Sequence, residues 1–147
     1  MGSTFLSLHY HIVFSTKERR PLIRAEWRPR LHEYLAGTVR SMGEIAEAVG
    51  GVEDHVHLLV GLRATHCLAE FLRELKKASS AWILKNHDPQ FNWQDGYSAF
   101  TVSATHLGPA RKYIIGQEEH HRKLSFVDEL KQLLEKNGVK YDAKYLL

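Results

Sequence analysis

The sequence predicts an α+β protein of ferredoxin-like βαββαβ topology: a central antiparallel sheet with helices on one face, then a helix bearing Tyr113 and a final amphipathic helix. Three observations predict it. Apolar residues alternate in "FLSLHYHIVFS" (5–15) and "DHVHLLVGL" (54–62), they recur at helical spacing in two longer segments, and the segments follow as strand, helix, strand, strand, helix, strand. That order places the first and third strands side by side at the sheet centre. A chain of 147 residues buries one core without disulfides or a structural metal. The expected organisation is one domain over 1–147, with a core about 5–104, a tyrosine-bearing helix about 109–123, and a C-terminal helix and tail over 125–147.

Strand one spans 5–15 and ends at a charged turn before Pro21. Trp27, Leu31, Tyr34, Leu35, Val39 and Met42 form the apolar stripe of a helix over about 25–43. Strands near 44–50 and 54–62 make a hairpin, with Gly50-Gly51 and acidic residues at its bend. Leu68, Phe71, Leu72, Leu75, Trp82 and Ile83 mark a second helix that stops near His87, ahead of Pro89. "GYSAFTVS" (96–103) is the fourth strand. Gly108-Pro109 then opens the next helix. "SFVD" resembles a capping box and starts a final amphipathic helix through Phe126, Leu130, Leu133 and Leu134 to Asn137-Gly138, expected to pack on the domain or on a partner.

Composition excludes several classes of function. Cys67 is the only cysteine, which rules out a disulfide framework and a thiolate zinc cluster; it is read as a packing residue, and a reducing cytoplasm as the compartment. No apolar run approaches a membrane span, no signal peptide opens the chain, and the myristoylation pattern at Gly2 fails at Leu6, so the expectation is a soluble protein with no membrane role. A P-loop is absent, and no nucleotide cofactor is expected. The net charge of +3 is compatible with an acidic partner.

Within strand three, His55 and His57 project from one face, roughly 7 Å apart along the chain. Two such imidazoles read as a metal site lacking its third ligand, with Glu53 and Asp54 at its entrance, or more plainly as partly exposed histidines on a half-buried strand. By the same alternation His9 and His11 share that face, while Leu8, Tyr10 and Ile12 point toward the helices. Imidazole ligands alone suggest Mn2+ or Zn2+. On the later helix Tyr113, Gln117 and His121 fall at i, i+4 and i+8, on one stripe. Gly116 interrupts it at a cost of up to about 1 kcal/mol relative to alanine, so something there needs close approach or movement.

"YHIVFSTKERRPLI", "DHVHLLV" and "GPARKYIIGQEEHH" resemble, in order and spacing, motifs of the HUH-class single-tyrosine transposases of bacterial and archaeal insertion sequences, relatives of the transposases associated with repetitive extragenic palindromes. The resemblance covers essentially the whole chain. It implies that His55, His57 and Gln117 are metal ligands, Tyr113 is the nucleophile, and the metal is Mg2+ or Mn2+. It further implies a homodimer whose active sites can be shared, recognition of single-stranded DNA with hairpin ends, and cleavage and rejoining of one strand through a 5′-phosphotyrosine. His120 and His121 keep an open role. Tyrosine suits the task because the covalent adduct preserves the bond energy of the cut strand.

Basic residues cluster in "TKERRPLIR", "RELKKASSAWILK" and "ARKYIIGQEEHHRK". Lys17, Arg19 and Arg20, with Arg73, Lys76 and Lys77, are candidate phosphate contacts, and His11 joins them as a candidate DNA contact, although helical basic faces are often simply solvated. Two alternatives stand beside the transposase reading: a related HUH nicking endonuclease, such as a replication initiator or relaxase-like enzyme, and a non-catalytic ferredoxin-like nucleic-acid binder that stacks bases on its aromatics.

Overall fold

A computed structural model describes residues 2–146. Met1 and Leu147, the two ends of the expected domain and tail, lie outside them. Strands β1 (His9–Ser15), β2 (Ile45–Gly51), β3 (His55–Gly61) and β4 (Ser98–Val102) form a sheet of order β2-β3-β1-β4 in which every neighbouring pair is antiparallel. β1 and β3 are therefore central, as the order of segments requires.

Alternation along these strands divides the molecule into two layers. Ile12 and Phe14 of β1 and Val56, Leu58 and Val60 of β3 pack against helix α1 (Arg28–Ser41) through Leu31, Leu35 and Val39, and against α2 (Leu68–Asn86) through Phe71, Leu72, Leu75 and Ile83. Truncating one of these fully buried side chains, such as Phe71 to alanine, costs about 3–5 kcal/mol. The opposite sheet face carries His11, Val13, His55 and His57. It is roofed by α3 (Leu107–Ile115), the short α4 (Gln117–His120) and α5 (Phe126–Lys136), with Phe126, Leu130 and Leu134 packing on Val13 and Phe100. The final helix thus packs on the sheet. Its start is secured by Ser125, whose hydroxyl accepts the Asp128 N–H, and its end by Asn137 and the left-handed Gly138 (φ 69°).

Four sequence expectations need correction. β1 starts at His9 and not at residue 5, because His9 already pairs with Gly61 and Val102, the last residues of both neighbouring strands; Phe5, lacking a neighbour, is 90% exposed. Gly50 and Gly51 are paired residues of β2 and do not form the bend, which lies at 52–54 and closes with Val52 N–H donating to the His55 carbonyl. The helix expected over 109–123 is broken: α3 ends at Ile115, Gly116 (φ −85°, ψ 20°) leaves helical geometry, and α4 begins at Gln117. Cys67 is exposed at the start of α2 and packs no core. Among the described residues no helix is long and apolar enough to cross a membrane.

Candidate metal and nucleophile site

β3 delivers His55 and His57 to the roofed face because their alternate positions share it, and both are fully buried there. α3 is held close above by Gly50: a Cβ at that position would collide with the Ile114 carbonyl oxygen, so glycine lets the backbones of β2 and α3 touch. A register shift between Ala46 and Ala48 leaves Glu47 without a partner on β3, and its carboxylate meets Arg111 of α3 at 2.7 Å. Across the break at Gly116 the Gln117 Nε2 donates to the Tyr113 carbonyl at 3.3 Å. Tyr113 and Gln117 consequently face the histidines together.

The polar atoms converge on one small volume. Glu129 Oε1 lies 3.2 Å from His55 Nε2, 3.0 Å from His57 Nε2 and 3.0 Å from His121 Nε2. Gln117 Oε1 lies 3.2 Å from His55 Nε2 and 2.9 Å from His121 Nε2. The Tyr113 hydroxyl donates to the other carboxylate oxygen, Glu129 Oε2, in a short hydrogen bond, and Oε2 is also 3.3 Å from His120 Nε2. Glu129 and Gln117 are each 1% exposed.

The far nitrogens of the three inner histidines are each held by another group. His55 Nδ1 lies 2.7 Å from Asp54 Oδ1, His57 Nδ1 lies 2.7 Å from His11 Nε2, and His121 Nδ1 lies 2.6 Å from the Leu124 carbonyl. Such outer partners fix ring orientation and turn Nε2 toward a metal. Ligand-competent atoms of His55, His57, His121 and Glu129 all lie within 4.8 Å of one another, and this imidazole and carboxylate donor set fits a divalent transition-metal ion.

Electrostatics follow from burial and from that one carboxylate. Burial favours the neutral form of Glu129, but hydrogen bonds from His121, His55 and His57 outweigh it and hold the carboxyl well below the usual carboxylate range. For His55 burial acts downward, and the hydrogen bonds to Asp54 and Glu129 reverse it, raising the pKa to about 9. His57, more deeply enclosed, is lowered by burial to about 4 despite Glu129. His11 is lowered to about 3 by burial and then by His57. Tyr113 is raised by burial and by the carboxylate that accepts its proton. Its open side borders a cleft of about 390 Å³ lined by His11, Phe100, Ser103, His106 and Lys136.

The structure thus brings together Tyr113, His55, His57 and Gln117, which the sequence singled out. The expected basic surface is dispersed. Lys17 and Arg20 are exposed on the turn after β1, at the sheet end where Ser15 pairs with His55, and Arg20 contacts Glu18 at 3.3 Å. Arg19 is half-buried there. Arg73 and Lys77 are exposed on α2, in the layer across the sheet from the histidines. Lys76 donates to the carbonyls of Gln94 and Gly96, each at 2.7 Å, and so anchors the loop before β4. His11 is buried behind His57, where it orients that ring. Glu129 was missed. Its signal was a carboxylate inside the apolar stripe of α5, three residues after Phe126 and four before Leu133.

Comparison with known proteins places the fold and the family. The family model described as "Transposase IS200 like" matches residues 4–117. The chain is 26% identical over 120 residues to the ISDra2 transposase TnpA of Deinococcus radiodurans, covering 76% of this chain and 85% of that one. A solved structure of a candidate transposase from Deinococcus radiodurans R1 superposes with a TM-score of 0.64 at 26% identity, over 78% of this chain and 94% of the other. The REP-associated tyrosine transposase bound to a REP hairpin has the same fold, with a TM-score of 0.56 at 17% identity over 78% and 68% of the two chains. With the family match spanning all four strands, α1, α2 and the tyrosine-bearing helix, this chain belongs to the IS200-like transposases, HUH-class single-tyrosine enzymes that process DNA.

Proposed function

We propose that the chain cuts and rejoins single-stranded DNA at the ends of an insertion sequence, with Tyr113 as nucleophile. The observation that carries this reading is the convergence of the Tyr113 hydroxyl and the Nε2 atoms of His55 and His57 on one buried carboxylate, with Gln117 Oε1 beside them against His55 Nε2. Histidines buried around one point beside a tyrosine favour catalysis over DNA binding alone.

His55, His57 and Gln117 would hold the ion, Mg2+ or Mn2+, which when bound offsets the charge that develops on the scissile phosphate. The remaining steps belong to the chain. The strand enters by the cleft on the open side of Tyr113, where Lys136 offers a positive charge. The hydrogen bond to Glu129 Oε2 orients the Tyr113 hydroxyl, whose proton leaves to solvent as the tyrosine oxygen bonds to phosphorus. The bond from phosphorus to the 3′ oxygen breaks, that oxygen takes a proton from solvent, and the products are a 5′-phosphotyrosine and a free 3′ hydroxyl. Rejoining reverses the step without an external energy source.

Exposed Lys17, Arg20, Arg73 and Lys77 supply phosphate contacts that position the DNA. Hairpin ends as the recognised element are supported by the REP-associated relative, which binds a REP hairpin. The chain acts as one catalytic domain and pairs into a homodimer, for which light scattering is the check. His57→Ala tests the reading: strand cleavage falls to background while hairpin affinity changes less than about threefold, since binding rests on phosphates and cleavage on the ion. Wild-type cleavage in that variant, or full activity in excess chelator, would contradict it.

A further inference from the structure

We propose that Glu129 and His121 are ligands of the same divalent cation as His55 and His57, so that α5 carries part of the metal centre and the site takes Mn2+ in preference to Mg2+. The inference rests on the reading that the histidine pair holds a cation. Glu129 lies beyond the residues matched by the family model, 4–117.

Counting hydrogens carries the argument. Glu129 Oε1 faces three imidazole Nε2 atoms at 3.2, 3.0 and 3.0 Å. As a hydrogen-bond cluster this asks one oxygen, with two lone pairs, to accept three N–H groups. It also asks His55 and His121 to be protonated on both nitrogens, because their Nδ1 atoms face acceptors, the Asp54 carboxylate and the Leu124 carbonyl. A cation among these atoms removes both demands. The Nε2 lone pairs and the carboxylate oxygen then all point at positive charge, and every Nδ1 keeps the partner it has.

The spacing agrees. The five short donor–donor separations linking Oε1 of Glu129 and Oε1 of Gln117 to the imidazoles run from 2.9 to 3.2 Å. Adjacent ligands about 2.1 Å from a six-coordinate ion are about 3.0 Å apart. Three imidazoles with one carboxylate and one carboxamide suit a first-row transition ion, whereas Mg2+ prefers oxygen and keeps several waters. The second carboxylate oxygen holds the Tyr113 hydroxyl, so Glu129 also fixes the nucleophile beside the ion.

Calorimetric titration of the full chain with Mn2+ and with Mg2+ tests this, comparing wild type, Glu129→Gln, His121→Gln and Glu129→Asp. The expected result is Mn2+ binding at least about tenfold tighter than Mg2+ in wild type, a loss of about tenfold or more in Mn2+ affinity in each glutamine variant, and partial recovery in Glu129→Asp. Hydrogen exchange on the wild-type protein is the second readout, independent of whether a variant folds: Mn2+ should slow exchange across residues 126–136 about tenfold or more. If both glutamine variants bind Mn2+ as wild type does, or if bound Mn2+ leaves α5 exchange unchanged, Glu129 only plugs the site and the inference is overturned while the histidine-pair reading stands. A wild-type protein that binds neither ion overturns both.

Discussion

His57 reaches the site with the nitrogen that His11 leaves free. The 2.7 Å contact between His57 Nδ1 and His11 Nε2 orients the ring so that Nε2 faces the site, as Asp54 orients His55. Removing an outer partner of this kind costs about 10–100-fold in metal affinity or activity, and His11→Ala should show that loss in Mn2+ titration although His11 lies behind His57. Unchanged affinity would remove His11 from the centre. A second prediction concerns His32 on α1, whose pKa is lowered to about 4 by burial and by Arg28. Here the folded state resists protonation and the unfolded state, near 6.5, does not. Stability is thus full above pH 6.5 and is lost as pH falls toward 4. His32→Gln should flatten that fall by about 1 kcal/mol, discounted for partial exposure, as read from urea midpoints at pH 7 and 4.5. Identical slopes in the two proteins would contradict it.

Strands and helices carry the site at two contacts that differ in how far the sequence announced them. The His55–His57 pair and the Tyr113–Gln117 spacing were legible because each lies within one segment, where periodicity decides the shared face. Glu129 was not, since its place exists only once α5 folds back across the sheet, and the anchoring of the loop by Lys76 was not, because its carbonyl partners lie in an irregular segment. The sequence suggests a turn at Gly50; its demand comes from α3, 64 residues later at Ile114. Gly50→Ala should therefore destabilise the fold by about 1–3 kcal/mol through overpacking and push α3 off β2. Cleavage would then drop further than stability accounts for, and a silent substitution in both assays would refute the contact. At α5, Ser125→Ala removes a helix cap worth about 1 kcal/mol. Because α5 closes the site, the same change should speed amide exchange in that helix, and α1 should be unaffected.

Across the whole molecule, one layer is scaffold and the other is chemistry. α1 and α2 bury the apolar face of the sheet, which fixes β1 and β3 at its centre, and the remaining face offers its histidines to whatever α3 and α5 bring over it. Tyr113 is where that division meets the proposed reaction, since it sits on the chemical layer with its hydroxyl held beside the donor cluster. The decisive measurement incubates the protein with Mn2+ or Mg2+ and a single strand cut from its own element's hairpin end, labelled on the 3′ side of the cleavage point, and looks for label on protein in a denaturing gel. Wild type should carry the label, and Tyr113→Phe, which loses one oxygen and keeps the ring, should bind the strand and carry none. Label that persists in Tyr113→Phe, or wild-type protein that never acquires it, would contradict a tyrosine-linked strand transfer at this site.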